Sequence, residues 1–177
     1  MTEIQDLDPH GTLIEPATLK IQRLLPGPIE RIWSYLTESE LRRKWLAAGD
    51  MTGGAGSTVE LVWRNDELTD PPGRRPDGFP AERRMASRIL VSEPPHRLVF
   101  TWGETGEVSF ELAPAGGRVL LTVIHRRLAD HSAELSVAAG WHTHLDLLAA
   151  RLTGANPPPF WDGWAVLRAD YERRLPG

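Results

Sequence analysis

Six histidines invite a search for metal or acid–base chemistry. His142 and His144 lie two apart on an expected helix, where the 3.6-residue period points them about 200° apart, so they do not chelate one ion together. His125 ends an inward-facing strand, and His144 stands beside Trp141 and Leu148. These two can meet in an interior, where an imidazole donates to a ligand carbonyl or acts as a base; as packing residues they need only satisfied hydrogen bonds. Trp45, Trp63, Trp102 and Trp141 each fall on the inward face of their element. Indoles give flat apolar walls with one N–H donor apiece, which suits an aromatic ligand and equally suits plain core. Arg64, followed by Asp66 and Glu67, comes directly after Trp63 and either rims a cavity mouth or stands in a solvated loop. Arg64 or Arg88 is the candidate to steady developing negative charge.

Several chemistries have no residues to carry them. No Gly-x-Ser-x-Gly elbow and no dinucleotide fingerprint occurs, and Gly53-Gly54-Ala55-Gly56 lacks the Lys-Ser/Thr that a phosphate loop needs. The chain has no cysteine, which removes disulfides, zinc–thiolate sites and thiol catalysis and fits a reducing compartment. No cofactor and no metal is expected.

The elements that must position these residues are read from periodicity. Thr12 to Leu25 reads as a first strand, with Leu19, Ile21 and Leu25 on one parity around Arg23, closed by Pro26-Gly27. Pro28 suits a first helical position, and Ile29, Ile32, Trp33 and Leu36 follow at helical spacing. Thr37 and Glu40 have the spacing of a capping box that restarts a second short helix, with Leu41, Trp45 and Leu46 inward and Gly49 at its end. Val59, Leu61 and Trp63 outline a second strand. The stretch Arg64 to Arg84 is a long Pro- and Gly-rich loop, equally readable as a lid or as a surface insertion. Three strands follow at Met85 to Ser92, Arg97 to Trp102 and Glu107 to Ala113, and Gly116-Gly117 turns the chain into Arg118 to Arg127, completing a meander. From Ser132 to Leu152 the spacing of Ala138, Trp141, Leu145, Leu148 and Leu152 predicts a long helix stopped by Gly154 and three prolines. Phe160, Trp161, Trp164, Leu167, Arg168 and Tyr171 outline a last amphipathic helix, expected to pack on the domain's own surface, with a partner chain in a homodimer as the alternative.

With 177 residues, 41% of them hydrophobic, the chain is sized for one domain, with a core over 12–153 and a tail over 157–177. The net charge of −4 and dispersed Arg-Arg pairs argue against nucleic acid as a partner. Met1 to His10 has no apolar signal core and no run of ~18 apolar residues occurs, so no membrane insertion is expected and the cytoplasm is the simplest location.

Strand, two short helices, a run of strands and one long helix is the order of the helix-grip fold, an α+β architecture with a curved antiparallel sheet around a C-terminal helix. The stretch from Pro28-Ile29-Glu30-Arg31-Ile32-Trp33 to Trp45, the segment Pro95-His96-Arg97-Leu98-Val99-Phe100-Thr101-Trp102, and Gly140-Trp141 with His144-Leu145-Asp146-Leu147-Leu148 resemble the homologues of the heat-shock chaperone ATPase activator. That family belongs to the SRPBCC, or START-like, superfamily, and the resemblance spans Thr18 to Leu152. It implies a cavity between the concave sheet and the long helix, of the kind the superfamily uses for apolar compounds, but a shared fold is only an analogy for function.

The expected activity is therefore binding of an apolar or aromatic small molecule, with Trp45, Trp63, Arg64, Arg88, Trp102, His125, Trp141, His144, Leu145 and Leu148 as cavity candidates. A cyclase- or hydrolase-type enzyme with His125 or His144 as general base is one alternative. A regulatory or chaperone-interacting module that docks through the sheet face or the tail Phe160 to Tyr171 is another. The ligand reading requires that the Ala138 to Leu152 stripe not fill the hollow of the meander.

Overall fold

In the computed structural model, which describes residues 7–177, the strands are β1 (Thr12–Glu15), β2 (Thr18–Pro26), β3 (Thr58–Trp63), β4 (Arg83–Glu93), β5 (Arg97–Trp102), β6 (Gly106–Ala115) and β7 (Arg118–Arg126). They form one antiparallel sheet in the order β1-β2-β7-β6-β5-β4-β3. Alternating burial along β2, β3, β4 and β7 gives the sheet one inward face. Strands β3 to β7 are the expected meander. Gly116 and Gly117, with φ of 57° and 84°, form the two-residue turn that lets β6 fold back on β7. On β7, Val119, Leu121, Val123 and His125 are buried, while the alternate residues are only partly covered.

The expected single strand from Thr12 to Leu25 is instead a hairpin. Pro16 has no N–H to continue a ladder, Ala17 takes a left-handed φ of 62°, and β1 returns along β2. Strand β2 then pairs with β7, so the first long strand closes on the last. Arg23 shares the inward parity of Leu19, Ile21 and Leu25 and is buried with them; its guanidinium donates to the Pro9 and Gln22 carbonyls and to Asp146.

Two short helices follow β2, α1 (Ile29–Thr37) and α2 (Ser39–Arg42). Pro28 is the residue before α1 rather than its first helical residue. The Thr37–Glu40 capping box does not form: Thr37 ends α1, and its hydroxyl donates to the Trp33 carbonyl at 2.9 Å, one turn back and within easier reach. Gly49 does not end α2, which stops at Arg42. Its role is close approach, since at φ 127° a Cβ would stand 2.6 Å from the Glu60 carbonyl oxygen, beside the bridge from Ala48 to Val62.

The long helix α3 (His131–Thr153) starts where Asp130 accepts a hydrogen bond from the Ala133 amide at 2.8 Å, and ends at Gly154 in the left-handed region. Its stripe Ala138, Trp141, Leu145, Leu148 and Leu152 is buried, and so are Leu135, Ala139, His142, Thr143 and Leu147 on other sides. Burial nearly all round follows from position, because α4 (Phe160–Arg174) packs on α3 as well. Phe160, Trp161, Trp164 and Tyr171 of α4 are buried in the chain's own fold, as expected for the tail. Among the described residues no helix is long and apolar enough to cross a membrane.

Candidate functional site

Beyond the end of β3 the chain stops alternating and runs from Arg64 to Glu82 without a strand, and this segment is fastened to α4. The Phe160 amide donates to Thr69 Oγ1 and the Trp161 amide to the Pro72 carbonyl, each at 2.9 Å. The Trp161 indole donates to Asp66 Oδ1 at 2.7 Å, and the Arg74 amide to Asp162 Oδ1 at 3.1 Å. Phe79, 40% exposed, sets its ring edge-on to Trp161 and Trp164 with centroids 5.7 and 5.3 Å away. Loop and tail together form a wall.

That wall, the ends of β3, β4 and β5, and the first half of α3 enclose a cavity of about 230 Å³, open on the side of Phe79, Pro80, Ala81 and Arg83. Its inner surface is aromatic. Trp63 meets Trp102 edge-on at 5.2 Å, Trp102 meets Trp141 at 5.6 Å, and Phe160 closes against Trp161 at 4.9 Å. Gly140 of α3 lines the space too, and a Cβ built on it would meet nothing within 4 Å.

Of the residues singled out in the sequence, Trp63, Trp102, Trp141 and His144 lie on the cavity wall. The others do not. Trp45 is fully buried and donates its indole N–H to the Tyr35 carbonyl at 2.9 Å, while Leu145 and Leu148 sit in solid core. His125 is buried behind Trp141, whose indole N–H donates to its Nδ1 at 3.0 Å. Two assignments need correction. Arg88 alternates with the buried Ser87 and Ile89 and so emerges on the outer face of the sheet, and Arg64 turns to Glu82 at 2.9 Å instead of the cavity. The hollow is also displaced: Leu145, Leu148 and Leu152 are buried in the core, and the aromatic cavity lies beside the N-terminal half of α3.

The two interior histidines differ in tautomer. His125 Nδ1 accepts from Trp141, which leaves its proton on Nε2. His144 Nδ1 faces the Trp45 carbonyl at 2.7 Å; a carbonyl only accepts, so Nδ1 carries the proton and Nε2 is an open acceptor. Burial pushes both imidazoles down to about 4, so both are neutral near pH 7. Asn65 Oδ1, on the same wall, is buried without a hydrogen-bond partner among the described residues. The enzyme alternative thus retains His144 as its one histidine on the wall, a weak base at that pKa, and neither arginine assigned to it.

Arg83 is a wall residue that sequence reasoning missed, because it was read as part of the loop. Strand β4 begins two residues earlier than the alternation from Met85 suggests, and pairing with Trp63 lays the guanidinium over that indole at 5.5 Å from its centre. The tail residues Phe160, Trp161 and Trp164 were recognised as an amphipathic face but not as cavity wall, since nothing local tells which surface such a face will meet.

A family model described as Activator of Hsp90 ATPase homolog 1-like protein matches residues 26–153. The chain belongs to this family. The seven-stranded antiparallel sheet gripping α3 is the helix-grip fold. The protein encoded by gene BPP1335 of Bordetella parapertussis, solved by NMR, is 40% identical, with 100% of this chain and 97% of that chain covered and a TM-score of 0.78. CalU16 of Micromonospora echinospora, in its crystal structure, is 20% identical over 93% of each chain with a TM-score of 0.60. A Rhodobacter sphaeroides protein is 20% identical over 81% of this chain and 97% of that one, with a TM-score of 0.62. No curated protein matches the chain. The family match stops short of α4, whereas the likeness to the Bordetella protein runs through it.

Proposed function

We propose that this chain binds a small, largely aromatic molecule in the cavity between α3, the ends of β3 to β5, and the wall made by α4 and its loop. The observation that carries this reading is Gly140. Glycine inside a helix costs about 1 kcal/mol relative to alanine, and such a cost calls for a local reason. No close approach supplies one, because a Cβ there would meet open space. What the missing side chain provides is cavity volume against a wall of indoles. An unused hydrogen-bonding group supports the same reading: Asn65 Oδ1 is buried on the wall and finds no partner among the described residues, in a fold where most buried polar atoms do.

The test is thermal denaturation of the full chain with a panel of lipids, aromatic acids and polycyclic phenols, each repeated on Gly140→Phe, which fills the space. Ligand at about 100 times its Kd adds roughly 2.7 kcal/mol, several degrees in Tm for a chain of this size. A rise in wild type that Gly140→Phe abolishes is the expected result. A panel without any shift overturns the proposal.

A further inference from the structure

The charges around the cavity narrow the chemical class of its ligand. Four arginines cluster near its mouth. Arg64 is paired with Glu82, Arg75 with Asp66, and Arg84 with both Glu60 and Glu82. Arg83 alone of the four has no carboxylate partner among the described residues, although it stands beside Glu82 and between the two ends of that network. Its guanidinium is held over the Trp63 ring instead, at the open side of the cavity.

No aspartate or glutamate lines the space, so Arg83 is the one formal charge on its wall. His144, the other ionisable residue there, is held neutral with its proton on the outward-bonded Nδ1. In a chain of net charge −4, an apolar chamber whose single charge is a positive one at the mouth is selective by sign. With its carbon 5.5 Å from the indole centre and no carboxylate partner among the described residues, the Arg83 guanidinium keeps its N–H fork free, and such a fork takes a carboxylate with two parallel hydrogen bonds.

Resting on the cavity as the binding site, we infer that the ligand is an aromatic carboxylate, with its ring system among Trp63, Trp102, Trp141 and Phe160 and its carboxylate on Arg83. Volume sets the size. A cavity of ~150 Å³ accommodates benzene, so about 230 Å³ admits a ring system of two fused rings.

The experiment uses matched acid and amide pairs, which differ in charge and hardly in shape: benzoate and benzamide, 2-naphthoate and 2-naphthamide, indole-3-acetate and indole-3-acetamide. Each is titrated calorimetrically into the full chain, into Arg83→Gln, and into Arg88→Gln, whose arginine lies on the opposite face of the sheet. In wild type a bicyclic acid binds at least about tenfold tighter than its amide, a preference that shrinks with added salt. Arg83→Gln removes the preference by weakening the acid far more than the amide; Arg88→Gln retains both affinities. Equal binding of acid and amide in wild type, or a preference that survives Arg83→Gln, overturns the carboxylate assignment while the cavity reading stands. Binding by none of the six probes overturns the carboxylate assignment together with its size argument, and a thermal shift by any other class of ligand in the wider panel separates that outcome from failure of the cavity itself.

Discussion

Gly140 and Trp141 sit side by side on α3 and pull in opposite directions. Trp141 fills space and ties the helix to the sheet through His125; Gly140 leaves space and weakens the helix that carries it. Stability and function separate at this point. Gly140→Ala meets no neighbour and restores helix propensity, so it raises stability by about 1 kcal/mol. Chemical denaturation should show a later midpoint with an unchanged slope, and a midpoint that moves earlier would mean the glycine is needed by the backbone after all.

Helix α4 is held at both ends by different chemistry. Its first turn is fastened to the Arg64–Glu82 segment, and its last turn to the N-terminal segment through Tyr171. The Tyr171 hydroxyl accepts from the Gly11 amide at 2.7 Å and donates to His142 Nδ1 at 2.9 Å, in a buried position. His142 in turn lies near Asp146, which holds Arg23, and His10 bridges Asp8 and Asp170 alongside. Tyr171→Phe keeps the ring but strips two buried groups of their partner, which costs roughly 2 kcal/mol. Because this end of α4 is remote from Trp161, hydrogen exchange in the variant should rise around Gly11 and the last turn of α4 and stay unchanged in the loop. Equal loosening at both ends would show that the helix is one cooperative unit rather than two separate attachments.

For the whole molecule, the buried imidazoles set the pH range of stability. Burial holds His125, His142 and His144 at about 4 against an ordinary 6.5, with the Arg23 charge adding to the effect at His142. Between those values the unfolded chain binds protons that the folded chain refuses, so stability is full above pH 6.5 and falls as the pH approaches 4. Three protons taken up on unfolding give a slope of up to about 4 kcal/mol per pH unit. Urea titrations should show a constant midpoint from pH 8 to 7 and a steep decline below 6.5. A midpoint unchanged down to pH 4.5 would mean that these histidines charge freely within the fold.

The sequence by itself determined the elements and their order. Inward parity on β2, β3 and β7, the glycine turn before β7 and the spacing on α3 are local patterns, and each constrains a backbone over a few residues without help from elsewhere. The inward faces of Trp63, Trp102, Trp141 and His144 were legible for the same reason, because alternation tells which side of its own strand or helix a residue takes. The sequence reading misplaced Arg88, whose parity with Ser87 and Ile89 was legible and unused, and it could not place Arg83, whose position depends on where β4 begins to pair. Only the tertiary structure decided where the interior stays empty. A void is what remains after sheet, helix, loop and tail have each taken their volume, and no single segment carries that difference.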